Sequence, residues 1–135
     1  MKKTFLVHSL VLAFILTAMI PTSNIFAAKL SSQTVNIGRE MRWYPSSDSK
    51  GFPMKGGTKV TIKFSFKNPA PSTVTFGLKR YSDSKNYKWG ACNDSNKIEK
   101  TKTTSTNWGK ENCKVYLSNS SSDPVKVISP SEVKY

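Results

Sequence analysis

Apolar and polar residues alternate along several short stretches of the chain. In 60–66 every second residue is apolar, with threonine, lysine and serine between them, and the same period recurs in 74–78 and 113–117. An extended strand with this period has one apolar and one polar face, so each stretch predicts a β-strand. The short segment 125–128 predicts a further strand near the C-terminus.

Proline-rich and polar segments separate these strands. Residues 68–71 include two prolines, which cannot donate to a sheet ladder, so this segment predicts the end of one strand and a turn into the next. The strands on either side are expected to be antiparallel neighbours. The segment 39–57 contains two prolines, three glycines and a serine-rich stretch, and it predicts a long loop that holds Trp43 and Tyr44.

The chain as a whole predicts an all-β fold. No segment has the period of an amphipathic helix over three turns, and the abundant threonine, valine and aromatic residues favour strands. Weaker strand patterns at 35–37, 87–91, 98–102 and 103–108 bring the total to about seven or eight short strands. That number, with turn signals between the strands, is typical of a single antiparallel β-sandwich or small barrel.

The first 28 residues predict a secretory signal peptide. Two lysines precede the mostly apolar run 10–20, and the small pair Ala27 and Ala28 follows it. This three-part pattern is typical of a cleaved leader, and the run is too short for a spanning helix, which needs about 20 apolar residues. We therefore expect cleavage after Ala27 or Ala28, one domain at 29–135, and a secreted, extracellular protein that is held at a cell surface only non-covalently.

Charge points to an anionic partner. The chain has 21 basic and 8 acidic residues, and removal of the leader with its two lysines leaves 19 and 8, a net charge of +11. The basic residues are dispersed over the domain, which indicates a cationic surface; the alternative use of such charge is solubility alone. Only three are arginine, whereas base-specific recognition of nucleic acid favours arginine, so the charge suits a repetitive anionic polymer better.

The predicted mature domain has no histidine, because His8 lies in the leader. It cannot build a Ser-His-Asp or Cys-His catalytic site or a histidine-ligated metal centre, so we predict a non-enzymatic protein without metal or cofactor. A carboxylate pair of the glycosidase type is the remaining catalytic alternative, although most of the acids lie in turn-rich stretches where they cap turns. The acids are Glu40, Asp48, Asp83, Asp94, Glu99, Glu111, Asp123 and Glu132.

Cys92 and Cys113 are the only cysteines of the chain. In an exported protein an even pair most often forms a disulfide, and two cysteines allow one intrachain pairing. A loop of this length stabilises a fold by roughly 3 kcal/mol in the chain-entropy model. We therefore predict one disulfide.

Basic and aromatic residues are interleaved in two parts of the chain. Aromatic rings can stack on sugars or bases while cationic groups bind phosphate or carboxylate. The candidate ligand-binding residues are Arg42, Trp43, Tyr44, Tyr87, Lys88, Trp89, Trp108 and Lys110. Trp89 and Trp108 each lie shortly before a cysteine, so the alternative is that both are core residues beside the disulfide.

These features together predict a secreted, cationic, non-enzymatic protein that binds an anionic cell-surface polymer or membrane. The partners that fit are a wall polymer such as a teichoic acid, an acidic polysaccharide, anionic lipid headgroups and extracellular DNA. The alternatives are a small secreted antimicrobial or toxin-like protein of the same fold and, less favoured, a carboxylate-based glycan hydrolase. The lysine-, asparagine-, serine- and threonine-rich composition is typical of a Gram-positive bacterial protein.

Overall fold

A computed structural model of the protein describes residues 26–44, 51–105, 108 and 110–135, and of Lys110 only the backbone. Within these ranges the chain forms ten β-strands and no α-helix, which confirms the all-β prediction. In chain order the strands are β1 (Ala27–Lys29), β2 (Gln33–Val35), β3 (Arg39–Trp43), β4 (Phe52–Lys55), β5 (Lys59–Ala70), β6 (Val74–Arg80), β7 (Asn86–Ala91), β8 (Ser95–Thr103), β9 (Lys110–Asn119) and β10 (Val125–Lys134).

The strands form two antiparallel sheets of five strands each. In the first sheet the order is β1-β10-β5-β8, and β2 also pairs with β10. In the second sheet the order is β3-β9-β6-β7, and β4 also pairs with β9. Apolar side chains from both sheets form one hydrophobic core, so the sheets face each other in a sandwich-like arrangement.

The alternation in the sequence accounts for the central strands. Val60, Ile62 and Phe64 of β5 are buried, whereas Thr61 and Lys63 between them are partly exposed. Burying one such apolar side chain stabilises the fold by about 1.5–3 kcal/mol. All four predicted strands of clear pattern lie within β5, β6, β9 and β10. The weaker pattern at 35–37 overlaps a strand only at Val35, the last residue of β2. Of the described residues of 103–108, only Thr103 lies in a strand, β8.

The predicted pairing of the strands on either side of residues 68–71 is wrong. β5 continues through Pro69 to Ala70, with a shift in its register to β8 between Ser65 and Ala70. The chain then crosses to the other sheet, so β5 pairs with β8 and β10 while β6 pairs with β7 and β9. A period of two identifies the buried face of a strand, but both sheets of a sandwich bury one face, so the pattern cannot assign a strand to its sheet.

The predicted long loop at 39–57 is also wrong, because β3 and β4 lie within it. Both strands pair with β9, and they bury Trp43, Phe52 and Met54. Each has only two apolar positions in alternation and lies in a segment rich in proline, glycine and serine, which obscures its period of two. Pro53 has no backbone N–H group to donate. It is compatible with β4 because β4 pairs with β9 on one side only, so a nitrogen on its other side needs no hydrogen-bond partner in the sheet.

The predicted disulfide between Cys92 and Cys113 is not formed, and both residues are buried free thiols. The backbone nitrogen of Cys92 donates to Val74, at the first residue of β6 (2.9 Å), whereas Cys113 pairs with Arg80, the last residue of that strand. Six residues of strand at about 3.3 Å each separate these positions by about 20 Å. A disulfide requires Cα atoms within about 7 Å of each other, so the sheet holds the two sulfurs apart.

The end of the predicted leader is part of the first sheet, while residues 1–25 lie outside the described ranges. Phe26 exchanges backbone hydrogen bonds with Tyr135 (2.8 and 2.9 Å), and Ala27 and Ala28 pair with Lys134 and Val133 of β10. The predicted cleavage junction therefore lies inside a strand. No helix in the described part of the chain is long and apolar enough to cross a membrane.

Candidate functional site

The outer face of the second sheet is organised around β9, which has a neighbour strand on each side. Val115 and Leu117 face the core, so Lys114 and Tyr116 lie on the outer face. Tyr44 directly follows Trp43, which pairs with Val115, and this register places Tyr44 across from Lys114. On the other side of β9, Tyr81 follows β6, and its backbone nitrogen donates to the carbonyl of Asn112 (2.9 Å).

Lys114 is held between these two tyrosines. Its Nζ lies 5.2 Å from the ring centroid of Tyr44 and 5.4 Å from that of Tyr81, and it is 3.5 Å from the hydroxyl of Tyr44. A cation over a ring face is stabilised by about 0.5–1 kcal/mol at exposed sites and by more when desolvated. The lysine is only 4% exposed, whereas the tyrosines are 40% and 45% exposed. We call Tyr44, Lys114 and Tyr81 the tyrosine–lysine cluster.

Among the described residues, Lys114 has no carboxylate within ion-pair distance. Its charge is balanced there by ring faces and a phenol oxygen, which leave a positive potential between two exposed aromatic surfaces. The cluster can therefore attract an anion and offer rings to whatever group adjoins that anion.

One carboxylate on this face, Glu40, is bound by three donors. Its Oε1 accepts from Arg42 Nε (2.8 Å) and Lys79 Nζ (3.0 Å), and its Oε2 accepts from Asn86 Nδ2 (3.1 Å). Burial alone would raise the pKa of Glu40, but the hydrogen bonds from Arg42, Lys79 and Asn86 hold it below its ordinary value. A general acid needs the opposite shift, so Glu40 is an ionised structural anchor that orients two cations.

Tyr116 lies beneath the charged side chains of this face. It pairs with Arg42 on one side and Gly77 on the other and is only 3% exposed, and burial raises the pKa of its phenol to about 12. Gly77 allows β7 to approach closely at a register shift, since a Cβ atom there would overlap the carbonyl oxygen of Tyr87. The outer face is thus packed around a buried ring.

The structure separates the tryptophans proposed as ligand-binding residues from this face. Trp43 is 5% exposed, its indole nitrogen donates to the carbonyl of Ser31 (2.9 Å), and its ring centroid lies 5.3 Å from that of Phe64. Trp89 is 8% exposed and belongs to the core cluster. Little of either ring is accessible to a ligand.

Tyr87 and Trp108 form a second aromatic pair. Their ring centroids lie 4.7 Å apart in an edge-to-face arrangement, and Trp108 packs partly against the core. The charged ends of Arg80 and Lys85 lie 5.7 and 5.4 Å from the Tyr87 centroid. Arg80 is also bound to Asp83 (2.6 Å), so part of the charge at this pair is neutralised.

The remaining sequence candidates divide between the outer face and its margin. Arg42, Tyr44 and Lys88 are exposed, and Lys88 pairs with Gly77 beside Tyr116. The backbone of Lys110 pairs with Lys55 at the far end of β9.

Sequence reasoning missed Lys114 and Lys79, and it did not select Tyr81. The sequence does indicate that Lys114 faces outward, because it is a polar position in the alternating stretch 113–117. Its partner Tyr44 lies 70 residues away in the chain, so only the strand register brings the two together.

Three of the other described carboxylates are bound by a lysine or a serine, and the candidate Asp48 lies outside the described residues. Glu99 and Glu132 both lie 3.5 Å from Lys63 Nζ, and the carboxylate of Glu111 binds Ser82. No group of three or more potential metal ligands occurs in the described ranges. Comparison of the sequence with known proteins found no matching family model and no similar curated protein.

Proposed function

We propose that the protein is a secreted, non-enzymatic binding protein whose second sheet engages an anionic polymer or membrane surface. The observation that carries the proposal is the position of Lys114 between the exposed rings of Tyr44 and Tyr81, without a described carboxylate to neutralise it. Secretion rests on the leader pattern of residues 1–28. A binding rather than catalytic role is supported by the state of Glu40, whose carboxylate is already bound by two cations.

The charge around the cluster supports the same proposal. Lys55 and Lys88 are exposed on the outer face, and Glu40 is bound by Arg42 and Lys79 together, which leaves an excess of positive charge. Such a surface raises the local concentration of anions and accelerates their association. The attraction is screened by salt, because the Debye length falls from about 10 Å at 0.1 M to about 3 Å at 1 M.

Two double variants that remove equal charge test this proposal. Lys55→Gln with Lys88→Gln changes the outer face of the second sheet, and Lys59→Gln with Lys97→Gln changes that of the first sheet; all four lysines are exposed. Retention on an immobilised anionic polysaccharide is measured in a rising salt gradient. We expect the second-sheet variant to elute at distinctly lower salt than the first-sheet variant, and both below 1 M.

Equal elution of the two double variants would contradict the proposal, because it would mean that net charge alone retains the protein. Retention that is unchanged at 1 M salt would contradict the electrostatic mechanism. Anionic and zwitterionic lipid vesicles in parallel pelleting assays separate a polymer partner from a membrane partner.

A further inference from the structure

An open cleft of about 620 Å³ lies beside Tyr81. It lies at the end of the second sheet, where β4 pairs with β9, and its volume is within the range of about 300–1,000 Å³ that is usual for small-molecule sites. Its principal lining residues are Pro53, Lys55, Thr58, Tyr81, Glu111 and Asn112.

Tyr81 supplies the cleft with an aromatic surface held by several hydrogen bonds. Its backbone nitrogen donates to the carbonyl of Asn112, and the carboxylate of Glu111 accepts from the backbone nitrogen (3.3 Å) and the hydroxyl (3.1 Å) of Ser82. Lys114 Nζ lies over one face of the ring, so a ligand can stack only on the other face. A ligand stacked there leaves Lys114 in place on the opposite face of the ring.

The polar groups of the cleft include both donors and acceptors. Lys55 and the amide of Asn112 donate, while the carboxylate of Glu111 and the oxygen of Asn112 accept. A sugar hydroxyl both donates and accepts, so it matches such a mixture. A phosphodiester has no hydrogen-bond donor, whereas a sugar ring carries several hydroxyls that donate and accept, so the lining favours a hydroxyl-bearing ring over the backbone of a nucleic acid strand.

We propose that this cleft binds one sugar ring of an acidic polysaccharide, with the ring stacked on Tyr81 and the acidic substituent directed to Lys55. The inference rests on the proposed function and names its ligand class. Lysine attracts the polymer through its charge, whereas Tyr81, Glu111 and Asn112 select the ring. Binding should therefore have a salt-sensitive part and a salt-insensitive part.

The experiment titrates the purified chain with three probes. These are an oligogalacturonate, the same oligosaccharide with its carboxyl groups reduced to neutral alcohols, and an oligothymidylate with the same number of charges as the oligogalacturonate. Each probe is titrated into the wild type, Tyr81→Ala, Tyr81→Phe and Asn112→Ala at 0.05 M and 0.5 M salt. Thermal melting confirms that each variant is folded.

We expect Tyr81→Ala to weaken oligogalacturonate binding about tenfold if stacking on a sugar is comparable to base–aromatic stacking, and Tyr81→Phe to retain the affinity because the ring is kept. Asn112→Ala should weaken both oligosaccharides and leave the oligothymidylate unchanged. The reduced oligosaccharide should bind weakly, with an affinity that does not fall between the two salt concentrations.

Two results would overturn the sugar inference while leaving the proposed function intact. One is binding of both charged probes with equal affinity and no effect of any variant, which would mean that charge alone is recognised. The other is an equal loss of oligothymidylate and oligogalacturonate binding in Tyr81→Ala with no effect of Asn112→Ala, which would make Tyr81 a platform for bases. Absence of binding by both charged probes at 0.05 M salt would overturn the proposed function as well.

Discussion

The outer faces of the two sheets are both rich in lysine, but they differ in what lies beside each lysine. On the first sheet Lys63 Nζ is 3.5 Å from both Glu99 and Glu132, and Lys134 Nζ is 3.3 Å from Glu132. On the second sheet Lys114 lies between two tyrosine rings. Glu40 also neutralises part of the charge of the second sheet, but Lys114 there lies beside exposed rings without a described carboxylate.

This difference shows why net charge is a poor guide to the location of a binding site. The ion pairs of the first sheet are partly exposed, and such pairs stabilise a fold by about 0–1 kcal/mol. Lys114 is buried, so its contacts with the two rings compensate for the lost hydration of its charge. Both arrangements thus place a lysine charge beside stabilising partners. They differ in how much of the positive potential remains for a partner, and this property is local.

The largest expected effect tests the alternation of β9, on which the position of Lys114 depends. If Lys114 faces outward, Cys113 must face inward, and burial raises the pKa of its thiol from 9.0 to about 12; Cys92 shows the same shift for the same reason. Because alkylation requires the thiolate, at pH 8 both thiols should react about a thousandfold more slowly in the folded than in the unfolded protein. Mass spectrometry after timed iodoacetamide exposure, with and without denaturant, measures this ratio.

Comparable rates in the folded and unfolded protein would mean that Cys113 is accessible and that the assignment of the two faces of β9 is wrong. A sample that has been reduced beforehand serves as the control. If the unreduced protein is not alkylated even in denaturant while the reduced protein is, the two cysteines form a disulfide.

The second prediction separates the core below the second sheet from its outer face. Trp43→Ala should lower the free energy of unfolding by about 3–5 kcal/mol, because the ring is buried against Phe64. Tyr44→Ala, one residue further, should lower it by less than about 1 kcal/mol, because the ring is 40% exposed. Urea denaturation monitored by circular dichroism measures both values.

The binding assay completes this test. Tyr44→Ala should weaken retention on the anionic matrix although the fold is kept, whereas Trp43→Ala should bind normally at temperatures where it is still folded. The reverse pattern would move the binding surface away from the outer face.

The smallest expected effect concerns Glu40. Its lowered pKa means that the ionised carboxylate stabilises the folded state at neutral pH, and this contribution is lost as the pH falls through the folded-state value, below the ordinary 4.5. Glu40→Gln should therefore lower the melting temperature at pH 7 by a few degrees and have no effect at pH 2. A difference that persists at pH 2 would show that the carboxylate charge is not the cause. Glu99→Gln, which removes a carboxylate charge from the first sheet, is the matched control variant.

The sequence predicted β5 to β10, but it predicted a loop in place of β3 and β4 and did not identify the strand partners. The pattern at 60–66 identified β5 because a long central strand shows several alternations, whereas β3 and β4 are too short and lie beside prolines and glycines. The same limit applies to the cluster. Lys114 and Tyr44 are recognisable as polar and aromatic positions, but their proximity depends on the register of β3 with β9.

A second limit of the sequence concerns adjacent residues of one strand. Trp43 and Tyr44 are adjacent in sequence, and both fitted a basic-aromatic motif. In a strand, neighbouring residues point to opposite faces, so one became part of the core and the other part of the surface. The motif identified a segment with one buried and one exposed aromatic residue, and only the location of the core distinguishes the two positions.

The pairing of Ala27 and Ala28 with β10 has a consequence for the timing of export. β10 follows the other described strands in the chain, so β1 can pair with it only after β10 has been synthesised. A peptidase needs its scissile bond free and extended, and a bond within a closed sheet is protected. Removal of the predicted leader at this junction would therefore compete with folding. Cleavage before folding would remove one or two of the three residues of β1, whereas folding first would protect the junction.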